Sequence, residues 1–181
     1  MFNPLLDTPP KEYGGYAIKT DYRQPIKFVL LMQDKDLTDD EKKVISVQQF
    51  FPDAIASDFF ALSEYIPWFI NRGAEQRESD GEDPVFDILQ DSERIYAAFL
   101  QVYKINLNTA NLHWWVFLTL LDNLPDGTKL AEVIRIRSTK IPKANKHNRE
   151  QVSSLNKLKD IYALGKRQTV GEKLQSVWEM F

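Results

Sequence analysis

In VFDILQDSERIYAAFLQVYK, residues 85–104, apolar side chains return every three or four positions. Ile88, Ile95, Phe99 and Val102 fall on one line of a helix, and Leu89, Tyr96, Leu100 and Tyr103 fall on the next. A stripe that broad must be covered over a wide arc, so the spacing predicts a central helix in a helical core. Most of the remaining chain carries the same three- and four-residue spacing, which predicts a mainly α protein.

The helix boundaries are written in local signals. Tyr13 and Tyr16 flank Gly14-Gly15, a pair suited to the primed turn of a small hairpin. Asp21 is placed to cap a helix through KFVLLMQD, with Pro25 tolerated in its first turn. Thr38 and Glu41 form a capping box ahead of a helix whose apolar face is Val44, Ile45, Val47 and Phe50-Phe51. Ser57 is expected to cap a third helix with Phe59, Leu62, Ile66 and Phe69 on one side. Pro67 would kink that helix and Gly73 end it. GAEQRESDGEDP, residues 73–84, has no apolar face and reads as a mobile acidic loop. Its acids lack the spacing of a calcium loop, so no metal is expected there. Thr128 caps a helix carrying Leu130, Val133 and Ile134, and Ile141-Pro142 breaks the chain. Residues 148–164 make a last helix, with Leu155, Leu158, Ile161 and Tyr162 apolar and Lys157 and Lys159 outside; Gly165 stops it. In the stretch beyond, Leu174, Val177 and Trp178 group at one side.

NLHWWVFLTLL, residues 111–121, places two of the four Trp side by side after a histidine. Projected as one helix over 107–124, Leu107, Trp114, Leu118 and Leu121 share a line. Val116, Phe117, Leu120 and Leu124 widen it. Trp115 falls among Asn108, Asn111, Thr119 and Asp122. The projection therefore expects Trp114 in the core and Trp115 on the polar side, as a partner anchor or as a ring covered by the C-terminal arm. His113 reads as a hydrogen-bonded boundary residue, because the only other histidine, His147, lies in a polar connection and no metal-ligand or catalytic spacing includes either.

No P-loop, GxGxxG, GxSxG or kinase motif occurs, and with seven glycines there is little loop to cradle a phosphate. No catalytic residue, no metal and no cofactor is expected, and the chain does not read as an enzyme. It has no Cys, which removes disulfides and thiolate chemistry. The start, MFNPLLDTPPKEYGG, does not read as a signal peptide, and no window is apolar enough for a membrane span. The net charge of −3 conceals a split. Residues 1–128 carry 21 acids and 11 bases, whereas residues 129–181 carry 5 acids and 12 bases. Two readings stay open: a basic helix folded over an acidic body, or a partner-binding arm. The arm, RIRSTKIPKANKHNR, lacks a run of aromatics for stacking bases, and the pI near 5.5 departs from a nucleic-acid footprint. Nucleic acid is accordingly only a minor alternative partner.

Six pieces in order carry a resemblance: the tyrosine hairpin with TDYR; DLTDDEK; WFINRG; VFDILQDSERIYAAFLQVYKINL; LHWWVFLTLLDNLPDGTKLAEVIRIRSTKIP; and LNKLKDIYAL. Together they cover most of the chain. Their order and spacing resemble the phage protein family called Gp-fifteen, found in long-tailed phages and prophages of Gram-positive bacteria. The resemblance implies a tail assembly chaperone that binds the tape measure protein, with the major tail protein as a further partner. It implies action in the host bacterial cytoplasm and absence from the mature virion. It supplies no catalytic residues. A structural tail completion or connector component is the alternative, and a nucleic-acid-binding accessory protein a lesser one.

The fold expected is an irregular multi-helix bundle with a short N-terminal β-hairpin and a helical C-terminal arm: an α-helical domain over 1–138 and a basic arm over 139–181. Core positions are Trp114, Leu118, Leu121, Ile95 and Phe99. Partner-binding positions are Trp115, Arg135, Arg137, Lys140, Lys143, Leu155, Leu158, Ile161 and Tyr162. The last four would anchor a head-to-tail self-association, with the basic residues facing acids such as Glu82, Asp83 and Asp87 of a neighbouring copy.

Overall fold

The computed structural model describes residues 2–74 and 84–165. Its elements are β1 (Glu12–Tyr13), β2 (Tyr16–Ala17), α1 (Arg23–Gln33), α2 (Asp39–Phe50), α3 (Phe59–Ile70), α4 (Ser92–Tyr103), α5 (Trp114–Asp122), α6 (Lys129–Ser138) and α7 (Arg149–Tyr162). A 3-10 turn over Ala56–Asp58 precedes α3. The protein is mainly α. Contacts group it into two units: residues 1–80 with 105–123, and residues 81–104 with 124–181. This division differs from the expected one of a helical domain over 1–138 and a basic arm over 139–181. The acidic loop over 75–83 and the segment from 166 onward lie outside the described residues.

In the first unit, β1 and β2 pair antiparallel with Tyr13 opposite Tyr16. Gly14 and Gly15 have φ of 59° and 84°, the two positive angles that a type I′ turn requires and that a side chain would strain. Thr38 and Glu41 close a reciprocal capping box on α2. The α2 face differs from expectation: Val47, Phe50 and Phe51 are buried, whereas Val44 and Ile45 stay exposed. Three apolar residues a turn apart suffice to pack α2 on α3, and the two extra β-branched residues face out. Asp21 accepts the Arg23 N–H just before α1, and Pro25 is buried in the first turn. Ser57 does not cap α3; its hydroxyl donates to Asp58 within the 3-10 turn. Pro67 stays inside α3, which continues to Ile70.

The second unit is built on α4, α6 and α7. The central helix is shorter than its apolar pattern: it begins at Ser92, because residues 87–91 form a turn in which Asp87 accepts the N–H groups of Leu89 and Gln90. Thr128 caps α6 by accepting the Ala131 N–H. Leu130, Val133 and Ile136 are buried, and Val133, Ile136 and Tyr162 form a cluster joined by Leu158 and Ile161. Ile95 and Phe99 are core residues as expected.

Candidate functional site

The His-Trp-Trp motif is a clamp within the first unit. Residues 106–109 are not helical: Asn106 Oδ1 accepts the Asn108 N–H, and the turn is held by Tyr22 Oη and Arg23, which donate to the carbonyls of Leu107 and Ala110. Helix α5 starts only at Trp114, with His113 as its N-cap. The His113 Nδ1 accepts the Trp115 N–H at 3.1 Å, so Nε2 carries the proton and donates to the Pro10 carbonyl at 3.0 Å. The Trp114 and Trp115 indoles donate to the carbonyls of Ile70 and Phe69, at 2.9 and 2.7 Å. Carbonyls in the last turn of a helix lack intrahelical partners; the Trp114 indole supplies one for Ile70, and the Trp115 indole joins the Arg72 N–H on Phe69.

Trp115 is therefore not a surface anchor. It is 4% exposed, with Phe2, Trp68 and Phe69 around its ring at centroid distances of 5.0, 5.6 and 6.1 Å. The helical projection fails because it extends the helix back through 107–113, which sets Asn108 and Asn111 beside Trp115, and because the rings that cover Trp115 come from outside its segment. Trp114 is core as expected, stacked on Phe117. Leu118 and Leu121 are only half-buried, and Phe117 fills the deeper position.

Burial and the proximity of Lys11 lower the His113 pKa, and the bond to Pro10 only partly offsets them. A proton on Nδ1 would also face the Trp115 N–H and abolish the cap. A depressed pKa gives stability that is complete above about pH 6.5 and lost as pH falls through the lower folded value. Wild type should lose up to about 1 kcal/mol more between pH 7.5 and 5.5 than His113→Asn, whose side chain still caps but does not titrate. Urea midpoints at the two pH values decide it; parallel losses would contradict a depressed His113 pKa.

Arg137, expected to meet a neighbouring copy, is committed inside the second unit. Its side chain is 8% exposed and holds both oxygens of fully buried Asp91, at 2.7 and 3.0 Å. It also donates to the carbonyls of Tyr162 and Val85. Of the acids expected to face it, Asp87 accepts backbone N–H groups in its own turn, and Glu82 and Asp83 lie outside the described residues. Tyr162 is buried with Arg94 and Lys129 over its ring, and Leu158 and Ile161 pack beside it. These expected anchors close their own unit's core. Leu155 is half-buried, while Arg135, Lys140 and Lys143 remain on the surface.

The surface features that sequence reasoning passed over are on α1 and α3. Phe60 and Trp68 are 77% and 43% exposed, and with Ala61, Glu64 and Pro67 they form one outward stripe of α3. The signal was present: positions 60, 64 and 68 lie opposite the buried line of Leu62, Ile66 and Phe69. Helix α1 is apolar over FVLLM, yet Pro25 is its only fully buried residue and Leu30 is 52% exposed. Between Trp68 and the N-terminal segment runs an open groove of about 540 Å³, lined by Phe2, Leu6, Pro10, Arg72 and Trp115 as well. Gly73, at φ 74°, also lines it; a Cβ there would come within 3.0 Å of the Trp68 ring. Arg72 is tied to Asp122 at 2.7 Å. Asp7 and Thr8 also line the groove, so its wall mixes apolar rings with polar groups.

Among the described residues, no group of three or more His, Asp or Glu could hold a metal ion, and no helix is long and apolar enough to cross a membrane. The family model described as Bacteriophage Gp15 protein matches residues 8–164. No curated protein and no solved structure matches.

Proposed function

The chain belongs to the bacteriophage Gp15 family, and from that premise we propose that it is a tail assembly chaperone that binds the tape measure protein during tail morphogenesis. The observation that carries this reading is the exposed apolar surface of the first unit: Phe60, Trp68 and Leu30 stand out on a body rich in acids. Large exposed apolar residues on one helix face mark interaction sites, and Phe60 and Trp68 share the outward face of α3. The partner is a long helical protein with apolar faces, whose i, i+4, i+7 side chains fit between Phe60 and Trp68 and along α1. An open surface of this kind binds many similar segments weakly and lets them go, as a scaffold displaced by polymerising major tail protein must. The chaperone has no chemistry to perform. It works in the host cytoplasm and leaves before the virion is complete.

The test is co-expression with the tape measure protein of the same phage. The tape measure should stay in the soluble fraction and co-purify with this chain, and should precipitate when expressed without it. A tape measure protein equally soluble in both cases would overturn the proposal.

A further inference from the structure

Residues 2–8 hold a turn that is closed on itself. The Leu6 and Asp7 N–H groups donate to the Asn3 carbonyl, the Asn3 N–H donates to Asp7 Oδ2, and the Leu5 N–H donates to Asn3 Oδ1. Among the described residues, no hydrogen bond or ion pair ties 2–9 to the rest of the first unit. The chain is first pinned at Pro10, whose carbonyl accepts from His113, and then at Lys11, whose carbonyl accepts the Ile18 N–H. What holds the turn down is a ring: Phe2 lies edge-on against Trp115 at 5.0 Å. The rest of the turn is poorly seated. Leu5 and Leu6 are 90% and 83% exposed, and the open groove lies between the turn and the rings of Trp68 and Trp115. A terminal segment with its own closed hydrogen bonds and one ring contact can leave the body as a unit, since leaving breaks no hydrogen bond.

We propose that residues 2–8 are a strap latched by Phe2. Latched, it covers Trp115; released, it swings away from Pro10 as one piece and uncovers the Trp115 ring beside Trp68. The closed strap takes up the ground next to the Trp68 end of the α3 stripe. One further step rests on the chaperone reading: a client helix that continues past Trp68 needs the strap open, and so competes with it.

The chain has no Cys, so Leu6→Cys gives a single labelling site, in the wall of the groove with Trp68 and Trp115. Bimane attached there is quenched by nearby tryptophan and reports the strap without any client. The label should be quenched in the full chain and brighter by about two-fold or more in Phe2→Ala, with the circular dichroism unchanged. Phe2→Leu, which keeps an apolar latch, should restore most of the quenching. A label unquenched with Phe2 present would mean a loose end, and a label equally quenched in Phe2→Ala would mean that Phe2 is no latch; either overturns the proposal. For the competition, wild type and Phe2→Ala are co-expressed with a limiting amount of tape measure protein of the same phage. If the strap is closed about nine-tenths of the time, Phe2→Ala should outnumber wild type in the complex by up to about ten to one. Equal shares, or an excess of wild type, would overturn the competition. A tape measure protein that carries neither copy would overturn the chaperone reading instead, and the label still decides the strap.

Discussion

Trp115→Ala is expected to cost about 3–5 kcal/mol of folding stability, and Trp114→Ala about as much. Each change removes a buried ring and an indole donor at the end of α3: Trp114→Ala takes the donor from the Ile70 carbonyl, and Trp115→Ala takes one from the Phe69 carbonyl, which keeps the Arg72 N–H. Against a total of about 5–15 kcal/mol for an ordinary domain, either loss is large. Trp→Phe at each position separates the two effects: it keeps much of the apolar ring but drops the N–H, and should cost roughly 1–3 kcal/mol. Urea denaturation of the four variants decides the matter. A Trp115→Ala loss below about 1 kcal/mol, the range of ordinary surface changes, would put that ring back on the surface.

The second large effect is expected at Asp91. Asp91→Ala should destabilise the unit of α4, α6 and α7 by about 3–5 kcal/mol, because it strands the Arg137 guanidinium in a buried site. The unpaired charge does more harm than the lost pair, so the double variant Asp91→Leu with Arg137→Met should recover much of the loss. Arg94, which also bonds Asp91, is 27% exposed and can turn to solvent. A double variant no more stable than the single one would show that the pair's hydrogen bonds, including those of Arg137 to Tyr162 and Val85, matter more than its charge.

Both residues mark where local reading of the sequence stops. The hairpin at Gly14-Gly15, the capping box of Thr38 and Glu41 and the cap at Thr128 were legible because each depends on neighbours within a few positions. The start of α5 was not, because the turn at 106–109 is held in part by Tyr22 and Arg23, more than 80 residues away. A local hint did exist in the asparagines at 106 and 108, which favour turns over helix. Burial of Trp115 depends on Phe2 and Trp68, which no helical projection of its own segment contains. Arg137 looked like a surface cation of a basic arm, since nothing nearby in sequence announces that Asp91 will be buried opposite it. The outward line of α3 is readable from its spacing, since positions 60, 64 and 68 lie opposite the buried line of Leu62, Ile66 and Phe69. The apolar face of α7 was legible from its spacing, but its cover was not: Leu158, Ile161 and Tyr162, expected to anchor a neighbouring copy, pack on Val133 and Ile136 of their own unit.

The family was legible from six motifs in order, and the match over residues 8–164 bears it out. The role as a chaperone rests instead on the exposed stripe of α3, the under-covered α1 and the implied client. The measurement that tests it most directly is quantitative mass spectrometry of purified virions beside the lysate that produced them. The account predicts abundant peptides of this chain in the lysate and none above background in virions that contain the tape measure protein. A fixed number of copies per virion would contradict it and make the protein a structural component of the tail.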